Sequence, residues 1–149
     1  MEVTEICLAK YTDAREISLL SKTLIEYDLP TTKYTEKRVK SAISHESKNV
    51  AVMRHGGKLI GFGIMTYLDK VANLDLLAVL PEYQGAGLAQ EIVAWLEKVA
   101  LTAGILNIEV QARERNQKGI KFYQKLGYKI IKKVPGVYGT ETQVRMAKK

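Results

Sequence analysis

The 149-residue chain has one cysteine, three prolines, two phenylalanines and one tryptophan, and no apolar run approaches the ~18 residues that a membrane-crossing helix requires. Each scarcity excludes a class. A single Cys7 cannot close an intramolecular disulfide, which removes the disulfide-framed secreted domains. In the alternating run Val3-Thr4-Glu5-Ile6-Cys7-Leu8 it reads as a packed thiol rather than a nucleophile. No Pro/Gly-rich linker, repeat or low-complexity stretch interrupts the sequence, so one continuous domain over residues 1–149 is expected. The start MEVTEICLAKYTD has no basic region followed by an apolar run, so a cytoplasmic location with no membrane partner is expected. His45 and His55 fall in expected loops without ligand-like spacing, and no metal site is expected.

What is abundant is positive charge. With 23 Lys and Arg against 16 Asp and Glu the net charge is +7, which favours polyanionic partners, either a phosphorylated cofactor or a nucleic acid. The cations are scattered apart from pairs such as Lys132-Lys133 and Lys148-Lys149, and no aromatic-rich RNA-binding signature accompanies them. Most therefore belong to a solvated surface, and nucleic acid is disfavoured.

Strand and helix patterns alternate. Val3 to Ala9 reads as a strand. Asp13-Ala14-Arg15-Glu16 resembles a capping box that opens a helix with Ile17, Leu20, Leu24 and Tyr27 on one face, stopped near Pro30. A weaker helix runs from Thr35 to about His45. Val50 to Arg54 and Leu59 to Leu68 flank the hairpin signal His55-Gly56-Gly57-Lys58. Asn73 to Leu80 is an apolar strand stopped by Pro81. Leu88, Ile92, Trp95, Leu96 and Val99 then recur at helical spacing up to Gly104. Ile105 to Gln111, a short helix from Asn116 to Leu126 ended by Gly127, Tyr128 to Val134 and Glu141 to Met146 complete the order βαα-βββ-αβ-αβ-β. The implied fold is α/β (α+β), with a single mixed, mostly antiparallel twisted sheet of about six to seven strands and about four flanking helices.

Between the apolar strand and the long helix lies Gln84-Gly85-Ala86-Gly87-Leu88-Ala89. A helix that starts directly after a strand leaves its first N–H groups without partners, and its dipole places partial positive charge there. Gly85 and Gly87 remove side chains where a ligand must approach the backbone, Ala86 and Ala89 keep the surface low, and Gln84 offers a side-chain amide donor. A triphosphatase phosphate loop needs Lys-Ser/Thr after its last glycine, where this chain has Leu88-Ala89. A dinucleotide fold places its glycine turn after the first strand, not mid-chain. A tight turn of small residues with no ligand stays open.

The run from Leu77 through Pro81 to Ala89 resembles the Gln/Arg-x-x-Gly-x-Gly/Ala motif of the GNAT superfamily of acetyltransferases, with Gln84, Gly87 and Ala89 at the defining positions. Asn116 through Gly119, Tyr123 and Gly127-Tyr128 is similar to the family's Asn-x-x-Ala-x-x-x-Tyr-x-x-x-Gly-Phe/Tyr segment, and the two motifs stand in the family's order. The departures are Ala89 for glycine, Gly119 where alanine is commoner, and a slightly long Arg113-Glu114-Arg115 stretch before Asn116. The resemblance covers the chain from about Val50. In the family the preceding residues tend to shape the acceptor site.

The resemblance implies acetyl-CoA as co-substrate and direct transfer to an amine acceptor, either a small molecule or a peptide N-terminus or lysine. A monomer or homodimer is expected. Leu77, Ala78 and Val79 would present backbone groups to the pantetheine arm, with the Val79 N–H on the thioester carbonyl and Gln84, Gly85, Ala86, Gly87, Leu88 and Ala89 on the pyrophosphate. Tyr123 holds the family's general-acid position, although Ile120, Tyr123 and Leu126 also form an apolar stripe on which it is a core aromatic. Glu109 matches the base of the ribosomal-protein N-terminal acetyltransferases in Glu109-Val110-Gln111-Ala112. Asp75, in Asn73-Leu74-Asp75-Leu76-Leu77, is the rival, and Glu109 is preferred. Asn116 either bonds the cofactor arm or caps its helix. Val134-Pro135-Gly136-Val137-Tyr138-Gly139-Thr140-Glu141 before Val144-Arg145-Met146 is faintly similar to the ending of protein N-terminal acetyltransferases, and a plain β-turn loop is the simpler reading. Two other functions stay open, a non-catalytic acyl-CoA-binding regulatory domain and a basic nucleic-acid-binding module.

Overall fold

The computed structural model of the protein describes residues 4–27, 33–138 and 140–149. Val3, Pro30 and Gly139, on which three of the expectations above rest, lie outside them. The elements take the expected order: β1 (Thr4–Leu8), α1 (Ala14–Leu20), α2 (Glu36–Ser44), β2 (Lys48–His55), β3 (Lys58–Leu68), β4 (Val71–Val79), α3 (Leu88–Thr102), β5 (Asn107–Arg113), α4 (Gln117–Lys125), β6 (Lys129–Tyr138) and β7 (Glu141–Lys148). The seven strands form one sheet in the order β1-β2-β3-β4-β5-β7-β6. Only β4 and β5 run parallel, because α3 crosses over between them, and every other neighbour pair is antiparallel.

Each face of the sheet is covered by a helix pair. Ala14 and Ile17 of α1 and Val39 and Ala42 of α2 pack on Val52, Phe62, Ile64, Leu76 and Ala78. On the other face Ile92, Val93, Leu96 and Ala100 of α3 and Ile120 of α4 pack on Met53, Met65, Leu74, Val79, Val110 and Met146. A methyl group at Gly63 would stand 2.8 Å from Leu96 Cδ1, so the glycine lets α3 lie directly on β3.

Three local features depart from the periodic reading. In β4, Ile64 pairs with Leu76 but Met65 pairs with Leu74, which leaves Asp75 as an extra, bulged residue. The bulge inverts the alternation. Ala72 and Leu74 therefore face α3, whereas Leu76 and Ala78 face α1 and α2. Second, α1 continues as a π turn over Ser21–Ile25, closed by Glu26 N–H to Ser21 O at 2.7 Å. The wider turn rotates the residues after it, and Tyr27, expected on the buried face, is 64% exposed. Third, β6 runs as a strand to Tyr138, with an irregularity after Val134 and Gly136 at φ 75°, where a plain turn loop was expected. It is an edge strand, so Pro135 can lack its N–H without breaking a ladder.

The capping-box reading of Asp13 also changes. Its carboxylate does not cap α1. It accepts the Lys10 N–H at 2.8 Å and pairs with Arg54 Nη2 at 2.6 and 2.7 Å, joining the start of α1 to β2. Tyr128, fully buried, donates to Glu97 Oε2 at 2.7 Å, and Lys148 Nζ lies 3.2 Å from the same oxygen, which ties α3 to β7.

Burial, and then the Glu97 carboxylate, push the Tyr128 phenol well above its ordinary value. A phenol that keeps its proton longer when folded binds more protons than the unfolded chain above pH ~10, so stability falls as pH rises from there. Tyr128 is expected to contribute a slope of about 1.4 kcal/mol per pH unit. Urea midpoints measured from pH 9 to 11 should fall more shallowly in Tyr128→Phe than in wild type, and parallel curves would remove Tyr128 from the alkaline transition.

Candidate active site

The site begins where the sheet opens. The parallel ladder between β4 and β5 holds only from Val71↔Asn107 to Leu74↔Val110. Beyond it β4 stays paired to β3 as far as Val79↔Gly61, and β5 stays paired to β7 as far as Arg113↔Gln143. Residues 75–79 and 111–113 therefore face each other across a gap. Leu80 N–H donates to Ile60 O at 2.8 Å, on the β3 side. Backbone groups alternate along a strand, so the N–H and C=O of Val79 and Leu77 point the other way, into the gap. Ala78 puts its side chain into the α1–α2 core and its N–H toward β3.

The gap leads onto the glycine loop. After one 3₁₀ turn at Pro81–Tyr83 the chain passes Gly85 at φ 87° and Gly87 at φ 80°, both left-handed conformations that side chains other than glycine's adopt at a cost. A Cβ built on either glycine meets nothing within 4 Å. Gly87 is the N-cap of α3, and the first helical bond is Glu91 N–H to Gly87 O at 3.2 Å, so the N–H groups of Leu88, Ala89 and Gln90 have no acceptor within the helix. Open space above unpaired donors at the positive end of a 15-residue helix fits a phosphate. Gln84 joins the loop to the end of β4. Its Nε2 donates to Val79 O at 2.9 Å, so the amide fixes the loop against the gap.

Asn116 caps α4, its Oδ1 accepting Gly119 N–H at 3.0 Å. A Cβ at Gly119 would stand 2.5 Å from Asn116 Nδ2, so glycine here lets the Asn116 amide lie over the helix end. Tyr123 is half-buried, with its ring edge-on to Phe122 at 5.2 Å and to Tyr128 at 5.6 Å. It packs on the same cluster as Leu77, Val79, Leu88 and Ala89. Its hydroxyl has no hydrogen-bond partner among the described residues. Burial raises its pKa far above the ordinary phenol value, which keeps it protonated.

The two carboxylate candidates lie on the opposite face. Ile108, Val110 and Ala112 point to α3 and α4, so Glu109, Gln111 and Arg113 point away from them. Glu109 is half-buried, in register with Asn73, and its carboxylate has no partner among the described residues. Asp75 sits at the bulge where the gap opens. Its Oδ1 accepts Asn73 Nδ2 at 2.7 Å, and its Oδ2 accepts Thr66 Oγ1 at 2.5 Å and lies 3.6 Å from Lys48 Nζ. Asn73 and Gln111 exchange amide bonds of 3.0 and 2.6 Å across the last paired rung. The sheet thus separates the glycine loop and Tyr123 from Glu109 and Asp75, and the gap connects the two sides.

Several residues at this site carry no sequence signal. Counting back from His55↔Lys58 would set Lys48 opposite Met65, but a bulge at Ile60 moves it to Thr66, within reach of Asp75. Arg113 donates to Ile25 O at 3.0 Å, lies 3.7 Å from Glu141 and stacks over Tyr27 at 5.5 Å, binding the π turn to β5 and β7. The buried Glu26 carboxylate accepts Ser21 Oγ at 2.7 Å and the N–H groups of Lys33 at 2.6 Å and Tyr34 at 3.4 Å, which holds Tyr34 near Asp75. Among the described residues no His, Cys, Asp and Glu side chains cluster as metal ligands, and no helix is long and apolar enough to cross a membrane.

The model of the Acetyltransferase (GNAT) family matches residues 12–128. An uncharacterized N-acetyltransferase of Mycobacterium tuberculosis is 33% identical over 85 residues, 54% of this chain and 53% of that protein, so the chain spans about half the length of this relative. Among solved structures, the PaiA N-acetyltransferase from Thermoplasma acidophilum in complex with coenzyme A superposes with a TM-score of 0.84 at 21% identity, covering 99% of both chains. The ribosomal-protein-S18-alanine N-acetyltransferase from Escherichia coli gives 0.79 at 23% identity, over 97% of this chain and 92% of that one.

Proposed function

The chain belongs to the Acetyltransferase (GNAT) family, and from that premise we propose that it transfers an acetyl group from acetyl-CoA directly to a primary amine. The observation that carries the reading is the continuity of the open β4–β5 seam with the glycine loop. It pairs a slot lined by unpaired backbone donors with an anion site at the end of α3. The N–H groups of residues 85–90 hold the pyrophosphate, and the open edge of β4 at Leu77 and Val79, with Ala78 between them paired to β3, takes the pantetheine arm as a strand would pair. The Val79 N–H then bonds the thioester oxygen, a contact typically worth ~3 kcal/mol when it is aimed at the developing oxyanion.

The amine nitrogen attacks the thioester carbon as a neutral species, so its extra proton must leave. Glu109, with its free carboxylate on the acceptor side, takes that proton through water. Asp75 is the weaker base because both its oxygens already accept hydrogen bonds. As the C–S bond breaks, the Tyr123 phenol gives its proton to the departing thiolate and is reprotonated from solvent. Asn116 holds the start of α4 and thereby the placement of Tyr123.

Release of free thiol from acetyl-CoA in the presence of amines, N-terminal peptides and lysine peptides tests the reading. Tight acetyl-CoA binding without acceptor-dependent thiol release would favour the regulatory-domain alternative. Between the carboxylates, Glu109→Gln is expected to lower kcat by about 10²-fold or more with acetyl-CoA affinity unchanged, while Asp75→Asn lowers it less. The opposite pattern would exchange their roles.

A further inference from the structure

The groups assigned to the reaction sit on two halves of one sheet. The β4 edge and the glycine loop, which take acetyl-CoA, belong to the run from β4 into α3, whereas Glu109 lies on β5 and Tyr123 on α4, the helix that follows it. The core under α3 spans the two halves on one face. On the other face α1 and α2 cover β2, β3 and β4, and the seam with β5 is left to polar side chains.

Asn73 and Gln111 form a closed pair there. Asn73 Nδ2 donates to Gln111 Oε1 at 3.0 Å and Gln111 Nε2 donates to Asn73 Oδ1 at 2.6 Å, one residue before the last rung on β4 and one after it on β5. Asp75 fixes which way the pair faces. An ionised carboxylate only accepts, so the 2.7 Å bond to Asp75 Oδ1 requires Nδ2 on that side of Asn73 and turns Asn73 Oδ1 toward Gln111 Nε2. Asp75 is held in turn by Thr66 Oγ1 at 2.5 Å, which Lys48 Nζ bonds at 2.8 Å. One chain of bonds thus runs from β2 to β5. It ends beside Glu109, which is in register with Asn73 and shares a face with Gln111.

We propose that Asn73 and Gln111 are positioning residues for acetyl transfer: their paired amides, oriented by Asp75, pin β5 to β4 at the last rung and so set where Glu109 and Tyr123 stand relative to the thioester. The proposal rests on the acetyl-transfer reading and gives Asp75 a role other than proton acceptor. Neither amide touches the reacting atoms. The proposed cofactor contacts lie on the β4–α3 half, so a loosened pin leaves acetyl-CoA binding in place while base and acid drift from the carbonyl. A misplacement of about 1 Å costs on the order of 10²-fold in rate.

The test compares wild type with Asn73→Ala, Gln111→Ala, the double variant and the exchanged pair Asn73→Gln/Gln111→Asn, each shown to be folded by circular dichroism. Thiol release from acetyl-CoA with the fastest acceptor of the amine and peptide set, acetyl-CoA calorimetry and residue-resolved hydrogen exchange are measured on each. Both single variants are expected to lower kcat by ~10-fold or more with acetyl-CoA affinity within ~2-fold of wild type, and the double variant to be no slower than either. The exchanged pair keeps two amides and their combined length, and it is expected to recover to within ~3-fold of wild type. Without cofactor, the β5 amides bonded to β4 should exchange faster in the single variants than in wild type. A merely structural pair would lower the thermal midpoint and leave kcat unchanged at a temperature where every variant is folded, which overturns the proposal. Additive losses in the double variant, an exchanged pair as slow as the single variants, or a kcat loss matched by an equal loss of acetyl-CoA affinity also overturn it. Absence of thiol release in wild type sinks the acetyl-transfer reading itself. Hydrogen exchange then decides the pin alone: faster exchange at the seam keeps it, and unchanged exchange removes it.

Discussion

Gly87→Glu is expected to abolish measurable acetyl-CoA binding, weakening it by ~100-fold or more, because like charges brought together cost several kcal/mol and each ~1.4 kcal/mol is tenfold in affinity. The Cβ of residue 87 points into the empty space above the unpaired N–H groups of α3, so a carboxylate there would occupy the volume proposed for phosphate. The substitution also forces a side-chain residue to φ 80°, at a cost of about 1–2 kcal/mol in fold stability. Gly87→Ala shares that strain without the charge. It should lower the thermal midpoint similarly while keeping most of the acetyl-CoA affinity. Calorimetry on both variants separates the two effects, and unchanged affinity in Gly87→Glu would remove the loop from cofactor binding.

Tyr123→Phe should slow turnover by about 10²–10⁴-fold, the range of general acid catalysis, with little change in acetyl-CoA affinity. The ring is retained between Phe122 and Tyr128, and the hydroxyl has no partner among the described residues, so its removal costs the packing nothing. The buried phenol stays protonated past its ordinary range, so this group is expected to introduce no alkaline limb below pH ~10. Single-turnover thiol release is the appropriate measurement. Equal rates for variant and wild type would leave Tyr123 as an aromatic of the α4 core, the role its spacing with Ile120 and Leu126 describes.

The element order was legible because each element carries a local signal. Ile92 and Leu96 recur at helical spacing, Thr35 and Asn116 cap their helices through side chains, and Gly104 and Gly127 end theirs at positive φ. The glycine loop was legible for the same reason. What the sequence hid are phase shifts and long-range contacts. Asp75 inserts one residue into a strand that is apolar on both faces, so no break in alternation announces it. The π turn before Glu26 leaves the composition of α1 helical while it moves Tyr27 into solvent. Lys48 reaches Asp75, and Arg113 reaches Ile25 and Glu141, only after register and crossover are set. These contacts lie mostly on the α1–α2 side of the sheet, the half of the site that the motif resemblance covers least.

The short parallel ladder has a further consequence for the domain as a whole. Four rungs join β1–β4 to β5–β7, with the Asn73–Gln111 amide exchange at their end and Arg113 reaching across to the π turn. Strand pairing alone would leave two plates joined at one narrow seam, and the core under α3, where Met53, Met65 and Leu74 pack in one cluster with Val110, Val144 and Met146, is what spans it. On the proposed reading, a thioester arm lying along β4 past the last rung would extend the strand pairing into the part of the seam that the core alone now bridges.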